Sequence, residues 1–282
     1  GNLAQARLGL ADPALLPPAI KLDNNGQLQC TACHDPHDDT FGNFLVMSNQ
    51  FSGLCTSCHA KEGWAVSSHA LSNARWNGTG TNPWPNTDYR TVAENGCENC
   101  HQSHTAPRPV RLLTHVFEED TCLGCHNGNV AAADIESELT KQYGHFAQDF
   151  TGIHDAAEDF SLVGVRPHVE CEDCHNPHRA NGNPSLGAPR VSGANIGVSG
   201  IDATGQQVRR AQNLYDICYK CHADYNVIPT LRLTRQIDQF NTRLEFDLAN
   251  PSFHPVASAG VNLEVPSLLS PYTVRSVISC TD

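Results

Sequence analysis

Basic charge is scarce in this 282-residue chain: 18 Lys and Arg stand against 30 Asp and Glu, a formal net charge of −12. That balance excludes the basic footprint of a nucleic-acid binder. Long apolar runs are also missing, since no stretch approaches the roughly 18 residues of a transmembrane helix. No signal-peptide pattern is present, so Gly1-Asn2-Leu3-Ala4 reads as a mature N-terminus. Only 39% of residues are hydrophobic, while Gly, Pro, Asn and Ser recur throughout. One large aliphatic core is therefore not expected. Methionine occurs once, at Met47. No phosphate-binding Gly loop or Ser-His-Asp arrangement is recognisable.

Cysteine and histidine are plentiful instead, with 13 and 15 copies. Twelve of the cysteines fall in Cys-x-x-Cys-His pentads: Cys30/Cys33/His34, Cys55/Cys58/His59, Cys97/Cys100/His101, Cys122/Cys125/His126, Cys171/Cys174/His175 and Cys218/Cys221/His222. Chance would give about 0.03 such pentads at this composition. The pattern is the attachment signature of c-type haem: two thiols form thioethers with the porphyrin vinyls, and the adjacent imidazole binds the iron as proximal ligand. Zinc is the main rival for paired Cys-x-x-Cys units, but zinc does not require His immediately after every second Cys. Six covalently bound haems are expected, each a flat apolar body for the chain to wrap. Heme propionates would add to the acidity. Disulfides are not the staple, because haem uses twelve of the thiols.

The motifs repeat in pairs. First cysteines are 25 residues apart in motifs 1–2 (Cys30, Cys55) and again 25 in motifs 3–4 (Cys97, Cys122). In motifs 5–6 (Cys171, Cys218) the spacing is 47, as if a Gly/Asn/Ser-rich insertion from Asn181 to Gly205 had opened the copy. A further His follows the proximal His by three only in the first member of each pair: His37, His104 and His178. With these features the chain resembles the paired-CxxCH family of multihaem cytochromes from Cys30 onward, including the Leu54-Cys55 and Asn250–Val256 neighbourhoods. The C-terminal Ile278-Ser279-Cys280-Thr281-Asp282 would open a seventh pentad if a Cys-His followed, so a truncated or processed piece of a longer cytochrome is one expectation. A lone terminal thiol is the other.

The expected fold is mostly irregular coil with short helices and little strand, in a haem-cored architecture. Helices are expected over 131–143 and 208–222, and a short strand at Arg243–Asp247. Pro and Gly interrupt the rest. The organisation reads as a haem-pair 1–2 module (1–66), a pair 3–4 module (67–135), a pair 5–6 module (136–225), and a segment (226–282) leading to the incomplete seventh motif. Together they form one continuous haem-wrapped unit.

Nine His lie outside the proximal positions: His37, His69, His104, His115, His145, His154, His168, His178 and His254. With six irons each needing a sixth ligand, bis-His coordination and low potentials are expected. Met47 reads as packing against haem. Within each pair, His37, His104 and His178 are assigned to haems 2, 4 and 6. Each is barred from its own haem by the proximal His three residues away, and the family resemblance supports this cross-ligation. Upstream His at recurring distances are assigned to the next pair: His69 to haem 3 and His145 to haem 5, with His154 and His168 as competitors for haem 5. His115 reads as an outer-shell or ordinary polar residue. His254, 26 residues before Cys280, is a donor whose haem is not in this sequence. Residues 1–29 hold no His, so the sixth ligand of haem 1 loops back, comes from another subunit, or is absent.

Every reading shares electron transfer. The leading one is an extracellular electron conduit resembling the filament ("nanowire") cytochromes of metal-reducing bacteria. It would be exported, with copies joined head to tail and with redox proteins or metal oxides as partners. A monomeric periplasmic or outer-surface carrier stands beside it. A multihaem reductase with an open iron is the rival from another class, though no pentad carries Lys in place of His. The acidic clusters Glu118-Glu119-Asp120 and Asp155–Asp159 read as solvated faces.

Overall fold

The computed structural model describes residues 9–108, 111–152, 168–224 and 241–282, with 236 and 239. It is mostly coil, with short helices and little strand. Chain contacts cluster into two units, Gly1–Gly144 and His145–Asp282.

In the first unit the helices last one or two turns: α1 (Gly53–Thr56), α2 (Ser68–Leu71), α3 (Val92–Asn95), α4 (Glu118–Leu123) and α5 (Ile135–Leu139). Their starts follow from local chemistry. Thr91 and Glu94 form a reciprocal capping box at α3, and Asp134 caps α5 by accepting from Ser137 N–H. That cap starts α5 at Ile135, so the helix expected over 131–143 is only five residues long. Much of what this unit buries is small or polar, including Ala32, Asn49, Ser52, Ser67, Thr91 and Asn95. Large apolar side chains stay exposed beside the motifs, among them Phe44, Phe51 and Leu112.

The second unit holds α6 (Cys171–Cys174), a two-residue hairpin of β1 (Gly200–Ile201) and β2 (Gln207–Val208), α7 (Leu214–His222) and α8 (Thr242–Glu245). The antiparallel register pairs Gly200 with Val208. Here an apolar core exists. Ile201, Tyr215, Tyr219, Ala223 and Val256 pack together, and Val198, Ala211 and Ile217 form a second cluster. Asn213 caps α7 in a box with Asp216, so the helix begins at Leu214 and residue 208 belongs to β2.

The strand expected at Arg243–Asp247 is overturned, because Thr242–Glu245 is helical. Asn241 accepts from Arg243 N–H at 3.1 Å and nucleates the turn. The Arg243 guanidinium grips both carboxylate oxygens of Asp224 at 2.6 Å. Five alternating residues are too short a pattern to outweigh a cap and a bidentate ion pair.

Candidate haem centres

Each pentad folds into one helical turn. The proximal His N–H donates to the first-Cys carbonyl at 2.9 Å in motifs 1, 2, 3 and 5 and at 3.0 Å in motif 4, while motif 6 lies within α7. This closure sets both cysteines on one short turn with the imidazole at its end. All thirteen thiols are free. Burial pushes Cys125, Cys174 and Cys221 up to about 11, so these thiols are protonated at neutral pH.

In the first motif of every pair the proximal ring is anchored through Nδ1. His34 donates to Asn43 O at 2.9 Å, His101 to Arg111 O at 2.7 Å and His175 to Ala194 O at 2.9 Å. A carbonyl only accepts, so Nδ1 carries the proton and Nε2 keeps its lone pair for a metal. The loops that deliver two of these carbonyls are copies of each other. Asp35 N–H meets Phe44 O and Val46 N–H meets Cys33 O; likewise Gln102 N–H meets Leu112 O and Thr114 N–H meets Cys100 O. Both loops turn through two residues of positive φ, Asn43-Phe44 and Arg111-Leu112. Such backbone costs roughly 1–2 kcal/mol per non-Gly residue, and its recurrence puts Phe44 and Leu112 at equivalent positions of the two loops. In motif 5 the Asn195 side chain, not a returning backbone, donates to Cys174 O at 3.0 Å.

Among the described residues, His rings stand close at three places on the motifs. The centroids are 5.9 Å apart for His34–His104, 6.2 Å for His69–His126 and 6.1 Å for His145–His222. Two imidazoles bound trans to one metal through nitrogen at about 2 Å each have centroids about 6 Å apart. Each pair holds one pentad His and one His from outside the pentads. Among the described residues no group of three or more His, Cys, Asp or Glu gathers as a chelating cluster; the paired imidazoles are the residues that would hold an iron between them. Free paired thiols, Nδ1-anchored imidazoles, facing His rings and exposed apolar side chains all fit a covalently attached haem.

The partnering differs from the sequence expectation. His104, assigned to haem 4, faces the motif 1 ring. His69, assigned to haem 3, faces the motif 4 ring, and His145, assigned to haem 5, faces the motif 6 ring. His37 is exposed and His178 half-buried; each N–H donates to the side chain two residues back, Asp35 at 2.9 Å and Asn176 at 3.1 Å. His254 is exposed. His168 stacks on Phe150 at 3.7 Å, and His115 Nδ1 lies 3.1 Å from Thr114 Oγ1. The Met47 sulfur accepts from Ser57 Oγ at 3.6 Å. His154 lies outside the described residues.

Within two of the pairs the second cysteines interact: burial first and the charge of Cys33 second push the Cys58 thiol up, and Cys174 adds to the effects of burial and Asp173 on Cys221. Between motifs 2 and 3 the first cysteines meet, Cys55 hydrogen-bonding Cys97, and Cys218 meets Cys280 in the same way. Two supports were not legible in the sequence. The buried Ser52 hydroxyl accepts Cys97 N–H at 2.8 Å. Buried Lys220 of motif 6 lies 3.6 Å from the Asp173 carboxylate of motif 5 and also donates to its backbone carbonyl.

The doubled CXXCH motif family matches residues 24–63 and 90–131, which are motifs 1–2 and 3–4. A relative from Shewanella baltica (strain OS185), multiheme cytochrome MtrA, is 25% identical over 211 residues, 70% of this chain and 43% of the relative. The chain thus spans less than half the length of that curated relative. No solved structure matches. The doubled motifs and this relative make the chain similar to multihaem c-type cytochromes, and the doubled motifs indicate covalently bound haem.

Proposed function

We propose that the chain conducts electrons along six covalently bound bis-His haems, as an exported electron-transfer protein and not an enzyme, and that its copies join into an extracellular filament. The observation that carries the conduction reading is the set of three His–His pairs at 5.9 to 6.2 Å, each on a pentad. When bound, the haems supply reversible one-electron chemistry, and closely spaced haems pass electrons without a diffusing carrier. The chain's own residues do the rest. Paired thiols anchor the ring, Nδ1 anchoring orients the proximal imidazole and strengthens it as a donor, and imidazole in place of thioether lowers the potential.

The filament reading rests on His254. This imidazole is exposed, and no other His ring stands opposite it among the described residues, which suits a donor to an iron in a neighbouring copy. The closeness of His34 and His104 within one chain supports a motif 1 completed without a second copy, and with it another motif as the acceptor of His254. A head-to-tail contact of this kind propagates unless its rotation closes a ring. Redox proteins and extracellular acceptors such as metal oxides are the partners this reading implies.

The test has three readouts. Intact mass and a pyridine haemochromogen assay of the exported protein should give six covalent haems per chain, and fewer would defeat the six-haem reading. The irons should be wholly low-spin; an iron in the unaltered protein that binds cyanide would favour a reductase. Negative-stain microscopy should show filaments, and monomers under all solution conditions would sink the polymer while leaving conduction intact.

A further inference from the structure

We propose that His104 completes the axial pair of the motif 1 haem, so that the step from His101 to His104 ties the irons of motifs 3 and 1 together and makes motif 3 a neighbour of both preceding motifs. The inference rests on the haem reading above and assigns a ligand that spacing alone misplaces. Counting along the sequence puts His104 on its own pair, 22 residues before His126. The fold puts its ring 5.9 Å from that of His34, 70 residues away, with 33° between the planes. His34 is held there by Asn43 O on Nδ1, which leaves Nε2 as its metal-binding nitrogen. The motif 3 loop that carries His104 is fixed by the Gln102 N–H to Leu112 O and His101 Nδ1 to Arg111 O bonds.

Motif 3 is also pinned to motif 2. Cys97 N–H donates to Ser52 Oγ, and Gly96, at φ +47°, leaves room for that hydroxyl; a Cβ there would sit 1.8 Å from it. Three residues of chain span at most about 10 Å, so His101 and His104 hold their two irons as close neighbours. The motif 1 loop meets motif 2 where Met47, next to the Val46 whose N–H donates to Cys33 O, accepts from Ser57 Oγ at 3.6 Å, and motif 2 meets motif 3 where Ser52 Oγ accepts Cys97 N–H at 2.8 Å. With His104 on motif 1, the three motifs form a closed triangle instead of a line. An electron arriving at motif 1 then has two exits, and oxidising or losing any one of the three haems does not interrupt the path between the other two.

The other two ring pairs obey a different rule. His69 and His145 come from the linker before a pair and meet the second motif of that pair. Loop His and linker His therefore serve different partners, which makes the assignment of His104 separately testable.

The test counts irons freed by removing ligands in the haem-loaded protein. His34→Ala, His104→Ala and the double variant should each yield one high-spin, cyanide-binding iron per chain, because all three changes strip the same iron. His104→Ala combined with His126→Ala should yield two. Two freed irons in the His34/His104 double variant, or one in the His104/His126 double variant, would place His104 on motif 4 and overturn the assignment. No freed iron in His104→Ala would also overturn it, because His104 would then not be a ligand. Haem content by mass is checked on every variant. Where an alanine variant loses a haem, His104→Met retains a donor and should raise the potential of one haem only; in the His34→Ala background it should still leave a single perturbed iron. An unaltered chain carrying no covalent haem would defeat the underlying reading instead, which separates the two failures.

Discussion

Residues 24–131 and the segment from Cys171 to His222 build the same pentad turn with different supports. In the first region the 25-residue spacing recurs, the loops after motifs 1 and 3 repeat bond for bond, and much of what is buried is small or polar. In the second, the insertion between motifs 5 and 6 supplies Val198 and Ile201 to two apolar clusters, and α7 carries motif 6 on a nine-residue helix. Fully burying an aliphatic side chain is worth about 1.5–3 kcal/mol, so the second region brings protein-derived stability that the first draws from elsewhere. The attachment turn tolerates either scaffold because it needs only the first-Cys carbonyl to His N–H closure, with an anchor on Nδ1 added in the first motif of each pair. The doubled-motif family matches the two tight copies, while the opened copy keeps its geometry through Asn195 and the Lys220–Asp173 pair.

The largest expected effect breaks that second scaffold. Lys220→Met leaves the Asp173 carboxylate buried without its cation, and stripping one partner from a buried pair costs about 3–5 kcal/mol. Asp173→Asn added to Lys220→Met should recover most of the loss, since an amide oxygen can still cap Glu170 N–H. Denaturant unfolding of the haem-loaded protein measures both. Equal stability of Lys220→Met and the unaltered protein would show that apolar packing alone holds motifs 5 and 6 together.

The matching cut in the first region is smaller. Ser52→Ala removes the hydroxyl that accepts Cys97 N–H at a fully buried position, and leaving that donor unmet costs about 1–3 kcal/mol. Hydrogen exchange at the Cys97 amide should accelerate, with little change near motifs 5 and 6. Equal acceleration around both would mean that the supports are not separate.

These supports mark where sequence reading stops. The six pentads, their pairing and the coil-rich fold were legible, because attachment chemistry demands fixed residues at fixed spacing and because Pro and Gly leave little room for long helices. Ring partnering was not. Which His meets His34 depends on where the 102–112 loop turns, and that follows from positive φ at Arg111 and Leu112, residues with no turn signature. Lys220 and Asp173 each occupy a variable x position of a pentad, so only the fold reveals that they meet. The helix at Thr242–Glu245 was hidden in the same way, since its Asn241 cap was visible but the long-range Asp224 partner of Arg243 was not.

That ion pair supplies the smallest expected effect and separates the regions by pH. The Arg243 guanidinium holds the Asp224 carboxyl below its ordinary value, with Asn241 Nδ2 donating at 2.6 Å as a further cause. A carboxylate whose folded pKa is depressed contributes stability that is present above the unfolded value of about 3.9. The contribution is lost as pH falls through the lower folded value. The side chains of Asp224 and Arg243 are 25% and 17% exposed, so solvent screening keeps the contribution to about 1 kcal/mol or less. The stability difference between the unaltered protein and Asp224→Asn should therefore be flat from pH 5 to neutrality and shrink below about pH 4. Ser52→Ala, which involves no titrating side chain, should show a difference that does not vary with pH over the same range. A difference for Asp224→Asn that grows on acidification would mean the carboxylate is not held in its charged form, and the short helix at Thr242–Glu245 would then depend on its Asn241 cap alone.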